Sequence, residues 1–227
     1  MESAKRMKPE NDDEEEKSLS AFHFPDLTIK VGNEKLFVNR DQLMAESPVF
    51  KTMLTGNFKE KNACEIELPD KAPTTFALFL RHTLPGFDGL ILSVVTAHSI
   101  LPLVHEYQTN TSLIKIDRVL SAYSGENEYK SLDKLVDDIL EAELYTLQKY
   151  LTACIRKASA FSTMAFERTG RFDKISSDTK AKIFIMRCKA MESRISNCMK
   201  VLEEYSYGCH SDCNSKKKIE NTKIILS

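Results

Sequence analysis

Cys209, His210 and Cys213, in the run CHSDC, form the one cluster in this chain with the chemistry of a soft metal site. Tetrahedral zinc takes four such ligands, usually as paired Cys-x-x-Cys or Cys and His units. The cluster stops at three, so a flexible tail with two free thiols is the expected state. The other histidines, His23, His82, His98 and His105, stand apart in the sequence. No His-Glu-x-x-His, Gly-x-Ser-x-Gly, Gly-x-x-x-x-Gly-Lys-Ser/Thr or Gly-x-Gly-x-x-Gly motif occurs. The 7 glycines are dispersed and make no phosphate-cradling loop. These residues imply neither catalysis nor a cofactor. A different chemistry, recognition by contact, is open to Phe58-Lys59-Glu60. This triplet sets an aromatic two residues before an acid and closes the apolar stretch NRDQLMAESPVFKTMLTGNFKEK (39–61).

The elements that position this triplet follow from local rules. Asn39 is a good N-cap, and Gln42 stands three residues on, as in a capping box. The short helix that follows carries Leu43 and Met44. Pro48 ends it, because an interior proline costs about 3 kcal/mol. Pro48 instead suits the first position of a second helix capped by Ser47. That helix carries Val49, Phe50, Met53 and Leu54 and stops at Gly56. Upstream, Leu27, Ile29 and Val31 alternate with Thr28 and Lys30, a half-buried strand. Gly32-Asn33 turns the chain into KLFV, completing a hairpin. Downstream, Glu65–Leu68 reads as a short strand, and a helix follows Pro73 with Phe76, Phe79 and Leu80 on one face. GLIL (89–92) reads as one more strand. Thr96 or Ser99 would cap a helix through Leu101, Val104 and Tyr107. Leu113, Ile116 and Leu120 mark another.

The rest of the chain divides by composition. Residues 1–20 hold an acid block and read as a disordered acidic tail. Ser121–Ser131 is a polar connector and a boundary. Beyond it Leu132, Leu135, Val136, Ile139 and Leu140 keep helical spacing, as do Leu147, Leu151, Cys154, Ile155 and Ala158, so an antiparallel helix pair is expected. A further helix starts near Ser177. In it Phe184, Cys188, Met191, Ile195, Cys198, Leu202 and Tyr205 repeat every 3.5 residues on average, which suits either a coiled-coil seam or a long helix packed within its own chain. Residues 207–227 read as a flexible basic tail, with Lys216–Lys218 as a solvated run. The 227 residues suffice for one large or two small domains. A formal net charge of -1 gives no global pull toward nucleic acid or an anionic membrane. The N-terminus lacks an apolar leader, the longest apolar run (GLILSVV) is too short to span a bilayer, and the 6 cysteines read as reduced thiols. A cytoplasmic or nuclear location is expected.

Residues 26–120 resemble a BTB/POZ domain. The resemblance rests on DLTIKV, LFVNRDQLMAESPVFKTMLTGNFKE, IELPD, FALFL and LPLVHEYQ. Ser47-Pro48-Val49-Phe50 matches the family's frequent Ser-Pro-x-Phe, Leu43, Ser47 and Phe50 stand at its spacing, and Asp26 and Arg40 fall where many members keep an acid and a base. Three features depart from the pattern: Asn39 replaces a usual histidine, Leu84-Pro85-Gly86 replaces an aromatic-Thr-Gly, and residues 1–25 lack the helix that longer members exchange between subunits. The resemblance implies an α+β fold over 21–121, a small sheet flanked by short helices, and a homodimer. It likens the helices of 131–206 to the extension called BACK. It casts Phe58 and Glu60 as a hydrophobic-x-Glu motif that docks on a cullin. The implied function is an adaptor joining a protein substrate to a cullin-RING ubiquitin ligase; the alternative is a dimerisation scaffold or transcription cofactor that binds no cullin. The ligand count at Cys209, His210 and Cys213 makes a prediction of its own. Purified protein should carry no stoichiometric zinc, and elemental analysis finding one per chain would overturn that reading.

Overall fold

Leu27, Ile29 and Val31 face one side of a strand and Thr28 and Lys30 the other, and the sheet is built on that period of two. Strand β1 (Leu27–Val31) pairs antiparallel with β2 (Glu34–Val38), Leu27 opposite Val38 and Val31 opposite Glu34. Gly32 in the connecting turn has φ 58°, a conformation glycine adopts without steric cost. Strand β3 (Glu65–Glu67) lies along the other side of β1 and parallel to it, Ile66 beside Ile29, so the order is β2-β1-β3. Parallel neighbours need a crossover. Helices α1 (Arg40–Glu46) and α2 (Pro48–Thr55) supply it. One sheet face buries Leu27, Ile29, Val31, Val38 and Ile66. The other carries the ion pairs Lys30–Glu67 (2.8 Å) and Lys35–Glu65 (2.7 Å). The structure, a computed structural model, describes residues 24–87, 90–126 and 131–208. Its contacts divide the chain into two units between Leu120 and Ser121.

The first unit closes around an aromatic cluster. Helix α3 (Pro73–Thr83) brings in Phe76 and Phe79, and Tyr107 stands at the end of α4 (Val94–Glu106). The Tyr107 ring stacks on Phe50 of α2 at 4.5 Å and meets Phe76 and Phe79 at 5.8 and 5.5 Å. Beside the stack, the fully buried Ser47 joins three helices. Its N–H donates to Leu43 O and ends α1, while its Oγ accepts from Phe50 N at 3.2 Å and starts α2. The same hydroxyl donates to Tyr107 O at 2.6 Å, satisfying a carbonyl at the end of α4. Helix α5 (Asn110–Glu126) completes the unit and crosses its boundary.

Several sequence expectations are corrected here. Leu90, Ile91 and Leu92 join no strand; Gly89 lies outside the described residues. Helix α4 is capped by Ser93, whose Oγ accepts from Thr96 N at 3.1 Å, so neither Thr96 nor Ser99 is the cap. Thr96 serves as the donor three residues on. The polar connector is helical through Glu126, because Ser124 is buried and lies 3.6 Å from Cys154 Sγ, giving that stretch an inward face.

The second unit is helical. Helix α6 (Leu132–Leu144) buries Leu135, Val136, Ile139 and Ala142, and α7 (Gln148–Ala158) buries Tyr150, Cys154, Ile155 and Ala158. The two are joined by a turn in which Thr146 takes φ 56° and Leu147 N donates to Ala142 O at 2.9 Å. Helix α8 (Thr163–Glu167), capped by Ser162, and a 3-10 turn at Phe172–Lys174 have no counterpart in the sequence reading. They deliver Phe166 and Phe172 to Phe184 of the last helix, α9 (Ser177–Gly208), with ring centroids 4.7 to 6.4 Å apart. Among the described residues no helix is long and apolar enough to cross a membrane. Among the described residues Cys64, Cys154, Cys188 and Cys198 are thiols outside any disulfide. The acidic tail at 1–20, Cys209, His210, Cys213 and Lys216–Lys218 lie outside the described residues.

The Ser47 joint sets a stability prediction. Ser47→Ala leaves Phe50 N–H and Tyr107 O without their shared hydroxyl partner inside the core. The loss should be about 1–3 kcal/mol, read as a lower denaturant midpoint with an unchanged slope. A midpoint within error of wild type would show the joint to be dispensable.

Candidate partner-docking site

After α2 the chain does not enter β3 directly. Residues 56–64 form a loop that carries Phe58 and Glu60. Gly56 caps α2 in an extended conformation, φ -74° and ψ -173°, so its need for glycine is not one of backbone angle. A Cβ there would lie 2.6 Å from Thr52 O and 3.0 Å from the Phe58 ring. The ring is seated on the bare face of Gly56, and Phe58 is still 55% exposed. Two turn bonds shape the loop: Lys61 N to Phe58 O and Ala63 N to Glu60 O, both 3.2 Å.

Arg40 holds the loop from the side. Its Nη1 donates to Lys61 O at 3.4 Å, and its Nη2 donates to Ala63 O. Asp26 meets Arg40 through the backbone: Asp26 Oδ1 accepts from Arg40 N at 2.7 Å. The acid and base noted in the sequence are therefore linked, with the guanidinium directed to the loop. Asn39 adds to this anchor. Its Oδ1 accepts from Gln42 N at 3.0 Å and its Nδ2 donates to Phe24 O at 3.1 Å, which ties the start of α1 to the chain before β1.

Phe58 and Glu60 line one groove of about 420 Å³, together with Pro48, Val49, Thr52, Met53 and Gln108. Its floor is the outward side of α2, and its acid is half-buried: the Glu60 side chain is 22% exposed and lies 3.8 Å from Lys59 Nζ. Gln108 arrives with φ 53°, uncommon for a residue with a side chain. The turn that demands it ends α4, where Thr109 N donates to Val104 O at 3.0 Å. Next to Gln108, burial and the Glu106 carboxylate push the Tyr107 phenol well above its ordinary range, so it stays neutral and acts as core. Leu43, Ser47 and Phe50 are fully buried beneath the groove. They support the site without lining it. No signal in the sequence singled out Gly56 as a seat, Arg40 as a loop clamp or Gln108 as a wall: Arg40 and Gln108 act on residues distant in the chain, and Gly56 seats its near neighbour only in the conformation this loop adopts. The arrangement can accept an apolar side chain of a partner beside Phe58 and orient it with one carboxylate.

Comparison with known proteins bears on the first unit most. Residues 16–124 match the family model described as the BTB/POZ domain. BTB and MATH domain-containing protein 38 of Caenorhabditis elegans is 28% identical over 159 residues, 70% of this chain and 39% of that protein. Trishanku of Dictyostelium discoideum is 33% identical over 84 residues, 37% of this chain and 12% of that protein. Kelch-like protein 28 of Homo sapiens is 30% identical over 83 residues, 37% of this chain and 14% of that protein. The chain spans less than half the length of these relatives.

Two substitutions test how the loop is held. Arg40→Met removes charge-assisted bonds to two loop carbonyls, contacts of a kind that contribute about 1.5–3 kcal/mol. Tryptic cleavage at Lys59 and Lys61 should then speed up at least about tenfold, if cleavage follows local opening. Gly56→Ala should displace Phe58 and raise hydrogen exchange across 56–64. Unchanged cleavage and exchange would show that neither contact fixes the loop.

Proposed function

We propose that this chain, whose residues 16–124 are a BTB/POZ domain and hence a protein-interaction module, acts as a homodimeric adaptor that brings a protein substrate to a cullin scaffold of a ubiquitin ligase. The observation that carries the reading is the presentation of Phe58. It is a large aromatic left more than half exposed, seated on glycine, beside a half-buried acid and above an apolar groove. Scattered single exposed apolar residues are ordinary. An aromatic held in place by a guanidinium-clamped loop at a groove rim has the form of an anchor for a partner. The helices of the second unit would then be the BACK-like extension that positions the substrate side.

Self-association would use a surface apart from the groove. Leu43, Phe50 and Leu54 of α1 and α2 are buried, while Val49 and Met53 line the groove. The most exposed aromatics among the described residues are Phe24 (69%) and Phe37 (67%), at the entry to β1 and on the outer face of the edge strand β2. This exposure also favours the second reading, a BTB scaffold or transcription cofactor that dimerises and binds no cullin.

A titration against a cullin N-terminal domain separates the two. About half of the Phe58 side chain remains to be covered, so its burial contributes about 1–1.5 kcal/mol, or roughly tenfold in affinity. Phe58→Ala should weaken binding by that factor. Glu60→Lys should weaken it most at low salt. Neither change should alter the mass of the free protein. Wild-type protein that shows no binding at tens of micromolar would leave the scaffold reading, and binding that survives both changes would move the contact elsewhere on the adaptor.

A further inference from the structure

Beyond Arg187 the last helix outruns the support of its own unit. Up to that point α9 is anchored. Thr179 and Ile183 are buried, Phe184 packs edge-on against Phe166 and Phe172, and Arg187 Nη1 donates to Phe161 O at 2.6 Å. Further along, Cys188, Met191 and Cys198 are exposed, and Ile195, Met199 and Leu202 are half-exposed. Phe184, the first position of the 3.5-residue repeat, is therefore used within the chain, and the unpartnered stripe begins at Cys188. Its side chains are described as far as Glu203, so Tyr205 lies outside them. A helix from Cys188 to Gly208 is about 30 Å long, and an isolated helix of that length is marginal in water without a face to bury.

We infer that this stripe forms a parallel two-stranded seam with the same helix of a second copy of the chain. The inference rests on the self-association proposed above. About three heptads are too few to hold a dimer unaided, whereas tethering through a first interface raises the local concentration to roughly millimolar. Three features select this occupant. The spacing of Cys188, Met191, Ile195, Cys198 and Leu202 is 3, 4, 3, 4, which keeps one seam facing a partner only if two helices supercoil. With Cys188, Ile195 and Leu202 at a and Met191 and Cys198 at d, the β-branched Ile195 falls at an a position, which favours two parallel strands. Charge then selects direction. In a parallel, in-register pair Arg187 at g faces Glu192 at e of the second copy, and Arg194 at g faces Met199, so no like charges meet. An antiparallel pair sets g against g and brings arginines together.

Register makes the test direct, because a parallel seam places each cysteine opposite itself. The probe is a short bismaleimide applied to the full chain. One variant keeps Cys198 as its reactive thiol by Cys64→Ser, Cys188→Ser, Cys209→Ser and Cys213→Ser, with the buried Cys154 retained. Its control adds Cys198→Ser and Ser193→Cys, moving the thiol to the outer face of the helix. Covalent dimer should form at least about tenfold faster from the d position than from the outer one. Ile195→Asp should abolish that excess while leaving the unfolding midpoint unchanged. Equal rates at the two positions in a protein of dimeric mass overturn the seam and leave the N-terminal self-association standing. A monomeric mass overturns both. An Ile195→Asp variant that unfolds earlier without changing the Cys198 rate shows the stripe packed within its own chain and also overturns the inference.

Discussion

The hydroxyl of Ser47 is the joint on which the first unit turns. A helix end leaves backbone groups without partners, and three ends meet here: the close of α1, the start of α2 and the close of α4. One buried side chain serves the last two through Phe50 N and Tyr107 O, and its own N–H closes the first. Pro48 fits beside it because the first position of a helix has no use for an N–H. The consequence is geometric. The Phe50 ring is set parallel to Tyr107, within 3°, so α2 is fixed against the end of α4 and its other side is left as the groove floor.

The groove therefore depends on contacts that never touch a partner. Gly56 leaves room for the Phe58 ring, Arg40 holds the loop carbonyls, and Asp26 and Asn39 hold the start of α1. A three-residue pattern such as Phe-Lys-Glu carries little information alone. Seated on a rigid support, the same three residues hold one direction in the free protein, so a partner docking there would meet a smaller ordering cost. The carboxylate of Glu60 contributes direction more than strength, since its side chain retains 22% exposure and its neighbour Lys59 is solvated.

The second unit is organised by burial in a different way. Its helix pair closes on itself, and a cluster of three phenylalanines fastens the start of α9. That fastening ends near Arg187, while the apolar stripe continues for several turns. A contrast with α4 shows why packing decides such cases. Pro102 sits inside α4 with its ring exposed, and the helix persists because Leu101, Leu103 and Val104 beside it are buried. Local preference yields where enough apolar surface is covered. Where no surface is covered, as along the stripe of α9, the sequence pattern points to a missing partner.

The amino-acid sequence by itself determined what depends on near neighbours. The period of two in Leu27–Val31, the Gly32-Asn33 turn, the Asn39 and Ser47 caps, the break at Pro48 and the helical spacing of 132–158 all belong to this class, and the structure has each of them. Together with the Ser-Pro-x-Phe spacing they made the α+β domain legible. The errors fell where a short apolar run has more than one use: Leu90–Leu92 finds no strand to pair with, and Ser121–Glu126 stays helical because Ser124 has a buried place to go. Only the tertiary structure decided that Arg40 reaches Lys61 and Ala63, that Gly56 carries a ring, and that Gln108 closes the groove. The Arg40 and Gln108 contacts join residues far apart in the chain, and the Gly56 seat, though local, lies in the loop that Arg40 holds. A cap or a turn is settled within four residues, whereas a docking surface exists only once distant segments have been packed together.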